Sequence, residues 1–186
     1  MEDLAQELRD ARAREAATNE ILRTINRSPT DYQPVFEAIL DNATRLCDAP
    51  LAILMMRGDD AYHLVAHAGS RPEFVEFMRA NPPPLDSEKS ITAKAAAERR
   101  AIEVLDITDE QSHGAGQPLR RFSVKVEGIR TQLTVPMLRG GEAVGVILVY
   151  RREVRGFEAS HVELLTTFAE QAAIAVDNVR QFKALN

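Results

Sequence analysis

The chain has 186 residues, of which 45% are hydrophobic and 27% charged, a balance typical of one globular domain with an attached element. Its formal net charge of -5 argues against nucleic acid or an anionic membrane as the main partner, since phosphate binding needs clustered Lys and Arg. The single cysteine, Cys47, excludes an intrachain disulfide and fits a reducing compartment. Because no apolar run is long enough for a membrane span and the N-terminus is not signal-like, we expect a cytoplasmic location.

Residues 1–28 are predicted to form a coiled-coil-like linker helix ahead of a domain over residues 29–186. The helix, over residues 2–27, is rich in Ala, Glu, Arg and Leu and lacks Gly and Pro. Steps of four and three residues predict a heptad seam at Leu4, Leu8, Ala11, Glu15, Thr18, Leu22 and Ile25. We therefore expect a homodimer through this helix; the alternative is a helix that folds back on its own domain.

The rest of the chain alternates between helical and strand-like patterns. Helices are predicted over residues 32–48, 74–79, 90–100, 119–127 and 157–185, and strands over 51–57, 61–69, 101–107, 130–139 and 143–152. Residues 108–118 form a polar loop. Adjacent strands joined by tight turns predict an α+β fold, with a central antiparallel sheet flanked by helices.

The glycine pair Gly140-Gly141 lies between two strand-like arms and raises the question of a phosphate-binding loop. Gly140 and Gly145 have the P-loop gap, but Val146 and Ile147 stand where that motif needs Lys and Ser or Thr. A two-residue turn with positive φ at both glycines explains the pair better. The segment "GAGQPL" also fails as a dinucleotide motif, because its third glycine is missing.

Metal and catalytic signals are weak. His63 and His67 share a strand face but would lie about 13 Å apart, too far for one ion. The thiol of Cys47 falls on an apolar helical stripe, which predicts an inert buried group. The basic pairs Arg99-Arg100, Arg120-Arg121 and Arg151-Arg152 are interpreted as solvated faces. We therefore predict no metal site and no catalytic residue, and hence no enzyme.

Four segments together resemble a GAF domain, the small-molecule sensing module of bacterial signalling proteins. They are "ILDNATRLCDAPLAILMM", "HLVAHAG", "SITAKAAAERRAIEVLDI" and the long C-terminal stretch from "GIRTQLTVPMLRGGEAVGVILVY" to "QAAIAVDNVRQF". The resemblance runs from about residue 32 to 182 and accounts for Pro136 inside a strand. It implies that the terminal helices pack on one sheet face, where such domains often dimerise. The other face, with residues from about 71 to 130, is then expected to form a ligand pocket.

The resemblance also narrows the ligand. Cyclic-nucleotide-binding members carry Asn-Lys-Phe and Asp-Glu signatures, and this chain has Asp109-Glu110 alone, so we do not expect a cyclic nucleotide as its ligand. We do not expect a bilin either, because it needs a cysteine near the pocket and Cys47 lies on the first domain helix. A haem would need an axial ligand such as His63, His67 or His113. The cofactor is therefore unknown.

Six polar residues are candidates for the ligand pocket. They are Thr92, Asp106, Arg121, Arg130, Thr131 and Thr134, and an arginine among them would pair with a carboxylate or phosphate. The alternative for each is a hydrogen bond at the surface or at the edge of the core.

The expected function is that of a regulatory module. The domain would sense a small molecule and pass the change through its terminal helices to an output domain, such as a histidine kinase, in the same parent chain. The alternatives are a dimerisation spacer without a ligand and a stand-alone enzyme of the same fold. Free methionine sulfoxide reductases, which resemble GAF domains, use several cysteines, and this chain has one.

Overall fold

A computed structural model describes residues 1–186 as five strands and six helices. In chain order the elements are α1 (Glu2–Arg27), α2 (Gln33–Leu46), β1 (Leu51–Arg57), β2 (Tyr62–Ala68), α3 (Pro72–Ala80), α4 (Ile91–Glu98), β3 (Ile102–Val104), α5 (Pro118–Glu127), β4 (Thr131–Arg139), β5 (Glu142–Arg151) and α6 (Ala159–Leu185). The predicted elements are all present, and the predicted α+β fold with long terminal helices is confirmed. The strand predicted over residues 101–107 is reduced to β3.

The strands form one antiparallel sheet in the order β2-β1-β5-β4-β3. Side chains alternate across it, as they must in a pleated strand. On β5, Ile147 and Val149 face the core that the sheet forms with α1, α2 and α6. Val146, Leu148 and Tyr150 face a second core with α3 and α4. The sheet thus separates a layer of terminal helices from a layer of short helices and loops.

The hairpin between β4 and β5 has the predicted turn. Arg139 pairs with Glu142 across Gly140 and Gly141, whose φ values of 60° and 81° are both left-handed. This region favours glycine, which has no Cβ to clash with the backbone. The pair therefore turns the chain and is no phosphate loop.

Pro136 is compatible with its strand because β3 is short. β3 pairs only with Gln132, Leu133 and Thr134 of β4, so Pro136 has β5 on one side and no strand on the other. The ring therefore removes no hydrogen bond from the ladder on the β3 side.

The second half of α1 packs against the domain. Ala17, Ile21 and Ile25 are buried in the helix-layer core, and the side-chain amide of Gln171 on α6 donates to the Thr18 carbonyl at 3.1 Å. Leu4, Leu8 and Leu22 of the predicted seam are exposed, whereas its last member, Ile25, is buried against the domain. The expected seam and the face that folds back on the domain are thus neighbouring faces of one helix that share Ile25.

Arg151 joins the end of β5 to both long domain helices, although its basic pair was interpreted as solvated. Its side chain is 1% exposed. The guanidinium donates to four backbone carbonyls, those of Cys47 and Asp48 after α2 and those of Arg155 and Gly156 before α6, at 2.7–3.1 Å. It also lies 4.0 Å from the centre of the Phe157 ring.

No helix in the chain has the length and apolar character that crossing a membrane requires.

Candidate ligand-binding site

A cavity of about 240 Å³ lies between the sheet and the layer of short helices. Its floor is formed by Met55 of β1, Gln132 of β4, and Leu148 and Tyr150 of β5. The walls come from the start of α4, the start of α5, and the loops around them: Asn81, Pro82, Pro83, Pro84, Ser90, Ile91, Thr92, Gly114, Gln117, Pro118, Leu119, Arg120 and Ser123, with Phe74 of α3. The cavity is thus on the sheet face where the resemblance placed it.

Arg120 is the only residue with a formal charge at neutral pH in this lining. It is 8% exposed, and its Nη1 donates to the hydroxyl of Ser112 at 2.6 Å. Its Nη2 is buried and has no hydrogen-bond partner. Burial lowers the pKa of this guanidinium and raises the pKa of the neighbouring Tyr150 hydroxyl, so the site holds a desolvated cation beside a neutral phenol.

Of the six predicted residues, only Thr92 lines this cavity. Its side chain is buried in the first turn of α4, next to Ser90, whose hydroxyl accepts from the Ala93 amide at 3.4 Å and caps the helix. Thr134 is fully buried two residues further along β4 on the same sheet face, where its hydroxyl accepts from the side-chain amide of Gln132 at 3.0 Å. Thr134 therefore orients a cavity residue without lining the cavity.

Asp106 and Arg130 bind each other outside the cavity. The guanidinium donates from Nε at 3.1 Å and from Nη2 at 2.7 Å, a bidentate pair. Asp106 also accepts from the amide and hydroxyl of Thr108, and Arg130 and Thr108 together hold the pKa of this carboxyl well below its usual range. Asp106 and Arg130 thus form a structural ion pair, which matches the alternative considered for these two residues.

Thr131 and Arg121 also lie apart from the cavity. The Thr131 hydroxyl is buried 2.6 Å from the Leu105 carbonyl and 2.9 Å from the Glu153 carbonyl, and it accepts from the Arg155 amide, so it fastens three chain segments. Arg121 is exposed and borders a second depression with Thr108 and Glu110, which Arg120 also lines. The interpretation of the Arg120-Arg121 pair as a solvated face is therefore wrong for Arg120, which is buried.

No hydrophobic periodicity in α5 marked Arg120 as buried. The buried residues of this helix, at steps of three and four, are Arg120, Ser123 and Glu127, all of them polar. Arg121, the next residue, is exposed. On β4, alternation places Gln132 on the same face as Thr134 and opposite Leu133, which identifies Gln132 as a floor residue.

The histidines and the cysteine do not converge on the cavity. No group of three or more His, Cys, Asp or Glu side chains is arranged to hold a metal ion. Cys47 lies in the helix-layer core, on the other side of the sheet, with its sulfur 3.9 Å from the His161 carbonyl. Burial raises the pKa of this thiol to about 11. A chromophore in the cavity would have no cysteine within reach, so the site does not fit a covalently attached bilin.

A buried carboxylate holds the outer wall of the cavity. Glu127, at the end of α5, accepts from the Arg71 amide at 2.5 Å and from Arg152 Nη2 at 2.8 Å, and its side chain is fully buried. Phe77 and Phe122 stack with ring centres 3.9 Å apart, and so join α3 to α5 a second time. The wall is therefore tied to the end of β5.

Glu127→Gln is expected to lower the free energy of unfolding by about 1–2 kcal/mol. The glutamine side chain keeps one acceptor oxygen, but its NH2 group would face one of the two N–H donors, from Arg71 and Arg152, that bind the carboxylate. Urea denaturation followed by circular dichroism measures the change. Glu110→Gln, on an exposed loop residue, is the matched control and should leave the midpoint unchanged. Equal midpoints for the two variants would contradict the structural role of Glu127.

The family described as GAF domain matches residues 29–177. The chain belongs to the GAF domain family. None of the curated proteins compared with the chain matches it. The match begins at residue 29, and the second half of α1, which precedes it, packs against the matched domain.

Solved structures show the same fold. The GAF domain of a phosphoenolpyruvate-protein phosphotransferase from Coxiella burnetii has a TM-score of 0.75 at 17% identity, and the alignment covers 94% of this chain and 98% of that one. A domain of a putative two-component sensor histidine kinase from Sinorhizobium meliloti has a TM-score of 0.67 at 18% identity, with 83% and 96% covered. Free methionine-R-sulfoxide reductase from Neisseria meningitidis has a TM-score of 0.64 at 15% identity, with 89% and 91% covered.

Proposed function

We propose that this GAF domain is a regulatory sensor. It binds a small molecule in the cavity between the sheet and α4–α5, and passes the change through α1 and α6 to an output domain of the same parent chain. The observation that carries the proposal is the buried, partly unpaired Arg120 in a cavity of metabolite size. A histidine kinase is the proposed output, in keeping with the fold shared with the Sinorhizobium meliloti domain.

The route of the signal follows β5. Tyr150 faces the cavity, and the next residue, Arg151, holds the carbonyls that precede α6. Glu127 of the cavity wall holds Arg152, one residue further on. A ligand that shifts α5 or Tyr150 therefore acts on the segment that leads into α6. Because packed elements move between discrete arrangements, a small shift is transmitted to the helix as a change of position.

A regulatory role is also favoured over an enzymatic one. The Neisseria meningitidis structure shows that the fold can host an enzyme, a free methionine-R-sulfoxide reductase. The disulfide cycle of such reductases needs at least two thiols. Here the single thiol is buried on the opposite sheet face, and its raised pKa of about 11 keeps it protonated at neutral pH.

A thermal-shift screen of metabolites tests the sensor directly. A ligand at about ten times its Kd adds roughly 1.4 kcal/mol of stability, which raises the melting temperature of a domain of this size by about 3–6 °C. Hydrogen exchange of α6 with and without the compound then reads out transmission. For a sensor, the compound changes the hydrogen-exchange rates near residue 159, at the start of α6. For a spacer, no compound raises the melting temperature, and that result would overturn the proposal.

We also propose that the domain forms a homodimer through its terminal helices. Leu4 and Leu8 of α1 and Phe182 and Leu185 of α6 are large apolar side chains that the single chain leaves exposed. On α1 the exposed leucines keep the heptad spacing of a helix that pairs with a second copy. The inner face of α1 is already occupied by its own domain, so the outer stripe is the one available to a partner.

Leu8→Glu is expected to convert the dimer to a monomer, because a carboxylate on the seam would be buried without a partner. Light scattering measures the mass. Gln6→Glu adds the same charge to an exposed position of the same helix, off the seam, and should remain dimeric. A monomeric mass for the unmodified chain, or a dimeric mass for Leu8→Glu, would overturn the dimer proposal.

A further inference from the structure

The cavity has an unbalanced positive charge. Among its 18 lining residues Arg120 is the only one that is charged at neutral pH, and none is Asp or Glu. Most other arginines that the fold fixes in place have carboxylate partners, as Arg130 has Asp106, Arg139 has Asp177 and Arg152 has Glu127. Arg120 has no ion pair and a single neutral partner, the Ser112 hydroxyl.

Arg151 shows what a buried structural guanidinium needs in this fold. It donates to four carbonyls, so its nitrogens are satisfied by the backbone. Arg120 is about as deeply buried, yet its Nη2 has no acceptor. An unpaired buried cation is costly, and native folds keep buried charges paired. The missing acceptor therefore points to a component that the chain itself does not supply.

A second feature converges on the same point. A Cβ added to Gly114 would lie 3.4 Å from the Lys89 carbonyl oxygen, 3.5 Å from Arg120 Nη2 and 3.6 Å from the Ile91 amide nitrogen. Ile91 is the first residue of α4, whose leading N–H groups have no acceptor within the helix and favour a negative charge. Gly114 has a left-handed φ of 77°, which itself favours glycine, and the guanidinium and the helix N-terminus both approach this residue closely.

The remaining lining describes the rest of the ligand. Met55, Phe74 and Leu148 are apolar, and so are the Leu119 and Ile91 side chains and the three prolines of the 82–84 segment. Neutral polar groups come from seven lining residues, namely Asn81, Ser90, Thr92, Gln117, Ser123, Gln132 and Tyr150. The volume of about 240 Å³ is below the range of about 300–1,000 Å³ for drug-sized ligands. The occupant is therefore small, with one acidic group and a body that contacts both apolar and neutral polar side chains.

We propose that the ligand of this cavity is a small organic monocarboxylate, whose carboxylate accepts from Arg120 Nη2 beside the N-terminus of α4. The proposal rests on the sensor function above and specifies its ligand class. A single guanidinium balances one negative charge, whereas a phosphate carries more negative charge than the one cation in the lining neutralises.

Calorimetric titration with matched pairs of probes tests the ligand class. The acids are butyrate, benzoate and 4-hydroxybenzoate, the neutral partners are their amides, and inorganic phosphate is the third arm. We expect at least one acid to bind and its amide to bind at least tenfold more weakly. Equal binding of an acid and its amide, binding of phosphate alone, or no binding of any acid would each overturn the monocarboxylate proposal.

Arg120→Met and Arg121→Met separate the site from the surface. Arg120→Met is expected to weaken binding of the best acid roughly 10- to 100-fold, the worth of one charge-assisted hydrogen bond. Arg121→Met removes the same charge from the neighbouring exposed position and should bind normally. Equal affinities of the two variants would refute the role of Arg120.

The unliganded variants show whether Arg120 is instead structural. Arg120→Met should melt at or above the temperature of the unmodified domain, since it removes an unpaired buried charge and keeps an unbranched apolar stem; a fall of several degrees would contradict the proposal. Arg120→Lys, which keeps the charge without the planar fork, should bind with intermediate affinity. If a metabolite screen finds only neutral ligands, the sensor function stands and the monocarboxylate proposal fails; if it finds none, both fail.

Discussion

Arg151→Ala is expected to lower the free energy of unfolding by about 3–5 kcal/mol. Four carbonyls from two chain segments would lose their donor, and the half-buried Phe157 ring would lose the cation above its face. Water cannot replace these donors without opening the join between β5, α2 and α6. Urea denaturation followed by circular dichroism measures the loss.

Two further variants isolate the cause of that loss. Arg155→Ala removes an arginine from the same segment, but one whose partners, Glu153 and Asp48, are exposed carboxylates; it should therefore unfold close to the unmodified domain. Arg151→Lys keeps the charge but lacks the fork that reaches four carbonyls, so it should lose a large part of the stability. A midpoint for Arg151→Ala that matches Arg155→Ala would contradict the structural role of Arg151.

Gly145→Ala is expected to cost about 2–3 kcal/mol, because the added methyl group has no space in the sheet. Gly145 lies in β5 between β1 and β4, and its Cβ would overlap the backbone carbonyl oxygen of Met55 and approach the Met137 sulfur to 3.3 Å. A backbone atom in the middle of a sheet cannot rotate away as a side chain does, so β1 and β5 would have to separate.

Gly116→Ala is the matched control for Gly145→Ala. It lies in the loop before α5, and a Cβ there meets no atom within 4 Å. Its midpoint should stay within about 0.5 kcal/mol of the unmodified domain. If both substitutions had the same small effect, the close approach of β1 to Gly145 would be disproved.

The helices and strands were predictable because the hydrophobic periodicity of each segment agrees with the Gly, Pro and polar residues at its ends. The pattern of β1, β2, β4 and β5 and the Gly140-Gly141 turn fixed the hairpins to within a residue or two. The strand predicted over residues 101–107 failed at its end, because Asp106 leaves the ladder to bind Arg130. That ion pair joins residues 24 positions apart, which local patterns do not encode.

The site was harder to predict, because the decisive residues are charged. Arginine is usually exposed, so composition favoured a solvated face for Arg120-Arg121 and Arg151-Arg152 alike. In both pairs the first arginine is buried and the second is exposed or half-exposed. Strand alternation distinguishes the members of the second pair, whereas the buried face of α5 is polar and its apolar pattern does not distinguish those of the first. Nη2 of Arg120 has no acceptor, and only the folded structure shows this, because the loop and α4 around it come from other parts of the chain.

The sheet that divides the two cores also divides two kinds of evolutionary change. The cavity lining comes from α4, α5, their loops and one face of β1, β4 and β5, whereas the packing of α1, α2 and α6 depends on residues on the other face of the same strands. Substitutions in the lining can therefore accumulate without loosening the packing of the terminal helices. For the proposed sensor, this separation allows a lineage to change the ligand while it keeps the helices that are proposed to carry the signal.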